Sequence, residues 1–226
     1  MTHIVQWIRH HKSSVLWYVG GFFVLGLGVN IMKASTLGNG AWDTVTINGR
    51  AFFQQNVGWE WVTLGMMSLV VSLILFAIVL LYRRELRYLF MLVPVLLVAL
   101  FIDFWNIVVF QDRLMQTSIW QVLFYVTGVF TLPLGLTLII KSGFPAFVFD
   151  EIMMMFVRIT KAKTITFVRL GIELTGIAIG TLFGYLTFFA AEGHFGAVDV
   201  GSFVFTLVLA PIMGLWFRIL GVPQHA

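Results

Sequence analysis

The chain has 226 residues, of which 60% are apolar and only 11% charged, with a formal net charge of +4 and no cysteine. A soluble domain carries about 25% charged residues, and apolar runs like these would aggregate in water, so the composition indicates a polytopic membrane protein. The missing cysteine excludes disulfides, iron–sulfur clusters and thiol chemistry, and the modest positive charge is a matter of membrane topology, not of nucleic-acid binding.

A membrane span needs about 20 mostly apolar residues. Six segments meet that requirement, at approximately 14–32, 62–82, 88–110, 120–140, 166–190 and 200–220. The basic segment 1–13 followed by an apolar run resembles a signal peptide. The run is long and lacks a small-x-small exit, so an uncleaved first span is expected. With a cytoplasmic N-terminus, ten basic residues fall inside: Arg9, Lys12, Arg83, Arg84, Arg87, Lys141, Arg158, Lys161, Lys163 and Arg218. Only Lys33, Arg50 and Arg113 fall outside, so both termini are expected in the cytoplasm of a bacterial inner-membrane protein.

Between the first and second spans lies Leu-Gly-Asn-Gly-Ala-Trp-Asp, residues 37–43; between the fourth and fifth lies Ser-Gly-Phe-Pro-Ala-Phe-Val-Phe-Asp, residues 142–150. Asp43 and Asp150 each follow an aromatic residue and stand 107 positions apart, the offset that also relates Ser35 to Ser142 and Gly28 to Gly135. The chain therefore reads as two related halves, about 14–110 and 120–220, in one membrane domain. Three crossings per half invert the second relative to the first, the plan of many channels and secondary transporters. After its first span each half carries a segment too apolar for a loop and too short to cross. In the first, Trp42, Val45, Gly49 and Phe52 form one helical face. In the second, Pro145 suits a first helical turn. Such helices either re-enter the bilayer or lie flat in its interface. Gly38, Gly40 and Gly143 supply the chain freedom for a sharp re-entry.

Leu-Gly-Leu-Gly at 25–28 with Leu-Gly-Asn-Gly-Ala-Trp-Asp, together with Arg169-Leu-Gly-Ile-Glu173 and Ala99-Leu-Phe-Ile-Asp103, resembles the YczE/YitT-type bacterial integral membrane proteins over most of residues 20–220. Departures are Ala41, where that family often has Pro, and Phe144-Pro145-Ala146 in place of a second Gly-rich turn. The family is largely uncharacterised, so the resemblance implies a fold and no chemistry.

The candidate solute- or ion-binding residues are Asp43, Asp150, Asp103, Glu173, Arg169, Asn30, Trp42 and Asn39. Asp43 and Asp150 open the two short helices, where half-helix ends meeting near the midplane would bind a solute; alternatively each only stabilises its helix N-terminus. Glu173 and Arg169 are four apart and form either a structural ion pair or a coupling site. Asp103, on the third span, either binds one proton or cation or hydrogen-bonds Asn106 or a broken-helix backbone group. Asn30 is suited to joining helices. Gly176, Gly180 and Gly184 form two overlapping GxxxG units for close packing within the chain or in a homodimer. Met153–Met155 read as core filler, there being no softer ligand beside them. No HExxH, GxSxG or Walker A pattern occurs, and the histidines (three in the N-terminal tail, His194, and His225) have no metal-ligand spacing. The expected protein is no enzyme and has no cofactor. It is an all-α membrane protein of six spans that moves a small solute or ion through the bilayer, or else a non-transporting scaffold for another system.

Overall fold

A computed structural model of the protein describes residues 12–144, 147–161 and 165–222. Arg9, Lys163, Pro145, the tail histidines and His225 lie outside the described residues. Among those residues the fold is all-helical, with eight principal helices: α1 Lys12–Ser35, α2 Ala41–Asn56, α3 Leu64–Arg83, α4 Leu92–Asp103, α5 Ser118–Lys141, α6 Val148–Thr160, α7 Ile165–Gly184 and α8 Val200–Leu220. A 3₁₀ segment, Leu86–Met91, leads into α4, and π-helical segments Phe104–Phe110 and Tyr185–Phe189 extend α4 and α7. Six helices are long and apolar enough to cross a membrane, in the order and near the positions that the hydropathy predicts. Their outward faces carry large apolar side chains such as Leu81, Leu96, Val126 and Leu207, as contact with lipid requires. At 1.5 Å per residue the exceptions, α2 and α6, extend about 24 and about 20 Å, short of the roughly 30 Å hydrocarbon core.

The centre of the molecule is the antiparallel pair α1 and α5. At one end Gln121 donates to Thr36 Oγ1, and at the other the Lys141 ammonium lies 4.6 Å from the Trp17 ring centroid. Glycine lets these helices touch along their length. A methyl group on Gly135 would sit 2.5 Å from Leu25 N, and one on Gly28 would sit 2.7 Å from Leu132 Cα. Gly21 faces the Gly135 carbonyl, and Gly128 faces the Gly28 carbonyl. Without a hydrophobic drive between helices in lipid, close backbone approach of this kind supplies the packing energy. Phe22, Val29, Leu132 and Ile139 of this pair join Val95, Ile102, Phe205 and Leu209 in one core. A second core gathers Val45, Val71, Leu75, Val148 and Ile152 from α2, α3 and α6.

The other glycine stripe packs within the chain. Gly176 lies against Ala41, Gly180 against Thr44, and Gly184 against Asn48 and Phe195, so the face that the GxxxG pattern offers to a second copy is occupied by α2. Asn48, fully buried, donates to the Gly180 and Phe195 carbonyls at 2.9 Å and accepts from the Ala197 N–H at 2.8 Å, which locks α2 onto α7.

Candidate functional site

Both long helices of the central pair end in the same device. Ser35 Oγ donates to the Met32 carbonyl and accepts from the Leu37 N–H; Ser142 Oγ donates to the Ile139 carbonyl and accepts from the Phe144 N–H. The next residue in each case, Thr36 or Gly143, takes a left-handed conformation, which ends the helix. Gly38, at φ +125°, is required a second time: a side chain there would strike Ser202 N at 2.4 Å. The loop is stitched to the start of α8 by the Gly201 N–H on the Leu37 carbonyl and by the Asn39 N–H on Ser202 Oγ.

Helices α2 and α6 then begin beside one another, deep in the bundle. The rings of Trp42 and Phe149 lie 5.0 Å apart, and Phe147 packs on Phe149 and on Phe22. From that meeting point α2 runs toward the Ser35 end of α1, and the first turn of α6 is held by an ion pair to α3. On α2, Arg50 reaches Asp112, which Lys33 at the Ser35 end of α1 also holds; on α6, Glu151 pairs with Arg83 at the far end of α3. Asp112, outside the spans, loses solvation through partial burial, but hydrogen bonds from Arg50 and Lys33 outweigh that cost and hold its carboxyl well below the usual range.

Between the two cores lies a cavity of about 150 Å³. Asp43, Asp150, Arg169, Glu173 and Trp42 line it, together with Thr46, Ser68 and Ser72, over a wall of Leu, Val, Ile and Phe side chains. Asp43 and Asp150 each occupy the third position of their helix, so two helix N-termini face the same space. Gly40 leaves room for the Asp43 carboxylate to fold back, since a methyl group there would lie 2.5 Å from Oδ2. Among the described residues that carboxylate accepts no hydrogen bond, and the buried Trp42 Nε1 has no partner. The charged group acting on Asp43 is Glu173, a like charge, whereas Arg169 acts on Asp150 and on Glu173. Among the described residues no carboxylate oxygen lies within 4 Å of an Arg169 nitrogen; its Nη2 rests 3.7 Å from Met213 Sδ. The direct ion pair, one of the two readings of the Arg169 and Glu173 spacing, is therefore not formed, although both side chains line the cavity.

Three of the sequence candidates lie elsewhere. Asp103 accepts from Thr63 Oγ1 at 2.5 Å and from the Gly65 N–H at 2.6 Å, and so satisfies the start of α3, in place of the expected Asn106 or broken-helix partner. Asn30 donates to the Gly26 and Ile102 carbonyls and ties α1 to α4. Asn39 is buried beside Ser202, outside the cavity wall. The residues that sequence reasoning passed over are Thr46, Ser68 and Ser72. The serines are four apart on an otherwise apolar span, and that spacing was the available signal. Met153, expected only to fill space, lines the cavity, while Met155 is buried and Met154 faces outward.

A family described as a family of unknown function (DUF6198) matches residues 12–218. The chain is also 25% identical over 209 residues to the uncharacterized membrane protein YczE of Bacillus subtilis (strain 168), covering 92% of this chain and 85% of that protein. No solved structure matches.

Proposed function

The chain belongs to DUF6198, a family without an assigned function, and from its cavity we propose that it carries a small solute or ion across the membrane. The observation that supports this most directly is the convergence of Asp43, Asp150, Arg169 and Glu173 on one cavity between helices. Ionisable groups within a bilayer are costly, and a chain that merely scaffolded another protein would gain nothing from four of them around a void.

The proposal includes the architecture that such a carrier uses: two inverted halves, with α2 and α6 as re-entrant helices. Contacts related by the offset of 107 support it. Trp42 touches Phe149, its counterpart; Gly21 faces Gly135 while Gly28 faces Gly128, as expected of a surface packed against its own repeat about a two-fold axis. The start of α2 lies near the start of α6, and the ion pairs of the two helices go to different ends of the spans, Arg50 to Asp112 beside Lys33 and Glu151 to the last residue of α3, which supports entry from opposite sides. The basic-residue bias then places both termini in the cytoplasm and the protein in the bacterial inner membrane. No nucleotide-binding motif occurs, so any uphill transport would draw on an ion gradient or a partner subunit.

The natural lack of cysteine makes the test direct. Single Ser68→Cys and Met153→Cys variants should react with a membrane-impermeant thiol reagent applied to vesicles. Leu96→Cys, on the lipid face, should not. If neither cavity position reacts from either side, the space is sealed and the carrier reading falls.

A further inference from the structure

The charges around the cavity are unevenly distributed. Three carboxylates and one guanidinium leave a formal charge of −2, and the single cation serves Asp150 and Glu173. Among the described residues Asp43 is left with a like-charged neighbour, no hydrogen bond to its carboxylate, and no ammonium or guanidinium within ion-pair distance. Two carboxylates cannot share a low-dielectric space without a counter-charge, which must come from a proton or from a bound cation.

The wall of the cavity discriminates between kinds of cation. Among the described residues no group of three His, Cys, Asp or Glu side chains is arranged to hold a metal ion. Hard metal ions need several oxygen ligands converging at about 2.0–2.6 Å. Beside its carboxylates and the hydroxyl residues Thr46, Ser68 and Ser72, the cavity presents aromatic rings, with Trp42 against Phe149, Phe147 beside them, and Phe205 near Gly40. Ring faces attract diffuse organic cations, and quaternary ammonium groups are recognised by such surfaces. The buried Trp42 Nε1–H, lacking an acceptor, offers one hydrogen bond to an oxygen on the same guest.

Building on the carrier reading, we infer that the solute is a small organic ammonium cation bearing a hydroxyl or similar acceptor. Its charge lies between Asp43 and Glu173 against the Trp42 ring.

The test uses the purified full chain in detergent, with choline as the probe. The comparators are 3,3-dimethylbutan-1-ol, its uncharged isostere, sodium chloride at equal ionic strength, and sodium pivalate as an anion of similar size. Choline should raise the unfolding temperature in a saturable manner, because a ligand at 100 times its Kd raises the folded-to-unfolded ratio about a hundredfold. The isostere and the salts should not. Glu173→Gln and Asp43→Asn should each weaken choline binding at least about tenfold; if one variant does not fold, the other carries the comparison. Equal protection by choline and its isostere would overturn the cationic assignment, as would protection by pivalate or by sodium alone. The same holds for no protection by any of the four, which leaves a proton as the counter-charge. In all of these cases the carrier reading stands or falls separately, on the labelling of Ser68→Cys and Met153→Cys.

Discussion

Asp103 and Asp43 are both acids within apolar surroundings, yet their partners separate them. Asp103 has its oxygens filled by the Thr63 hydroxyl and the Gly65 N–H, so its role is to anchor the start of α3 to the end of α4. Replacing it with Ala removes a charge-assisted acceptor from two part-buried donors and should cost about 1–3 kcal/mol. Denaturation in mixed detergent micelles measures that loss. The shift that choline produces in the unfolding temperature should be unchanged in this variant, because Asp103 lies outside the cavity wall. Nothing in the sequence around Asp103 distinguishes it from an acid on a solute path. The distinction depends on Thr63 and Gly65, forty and thirty-eight positions away. Asp43 and Asp150 were legible as a pair from their common offset, but the cavity between them was not.

At the scale of elements, glycines with the same appearance in sequence divide by what faces them. Gly135 on α5 is pressed against the α1 backbone, whereas Gly214 on α8 has nothing within 4 Å of the place a methyl group would occupy. Gly135→Ala should therefore overpack the central pair and destabilise the protein by about 1–3 kcal/mol. Gly214→Ala should be neutral or gain about 0.5–1 kcal/mol from the better helix former. Thermal unfolding of the two variants side by side checks the contrast, and equal effects would contradict the packing described for α1 and α5. The GxxxG run on α7 left two outcomes open for the same reason. Spacing specifies a smooth helical face, and only the position of α2, held by Asn48, shows that the occupant comes from the same chain.

For the molecule as a whole, each short helix is tied to one end of the bundle by ions from another segment. Asp112 gathers Lys33 of α1 and Arg50 of α2, and Arg83 of α3 takes Glu151 of α6. The Asp112 carboxyl titrates below its unfolded value of about 3.9, so its ionised form favours the folded state. That contribution is complete above about pH 4 and disappears as the pH falls through the lower folded value. Acid unfolding should accordingly be gentler in Asp112→Asn than in the parent over that range, with the two proteins showing parallel profiles between pH 5 and pH 8. Fluorescence-detected unfolding across a pH series would show it; identical acid limbs would mean that the cluster contributes nothing to folding.

What the sequence determined alone is set by the bilayer. Hydrocarbon thickness converts runs of apolar residues into spans, and backbone hydrogen bonding in lipid requires those spans to be helical, so span number, approximate bounds and the two short segments could be read directly. Repetition of Ser, Gly, aromatic residue and Asp at one offset marked the places where the long helices end and the short ones begin. Only the tertiary structure decided which acids share a space, because side chains converge through helix rotation and crossing, which hydropathy leaves free. It brought Asp43, Asp150, Arg169 and Glu173 around one cavity, filled the oxygens of Asp103 with backbone and hydroxyl donors, and turned Ser68 and Ser72 inward.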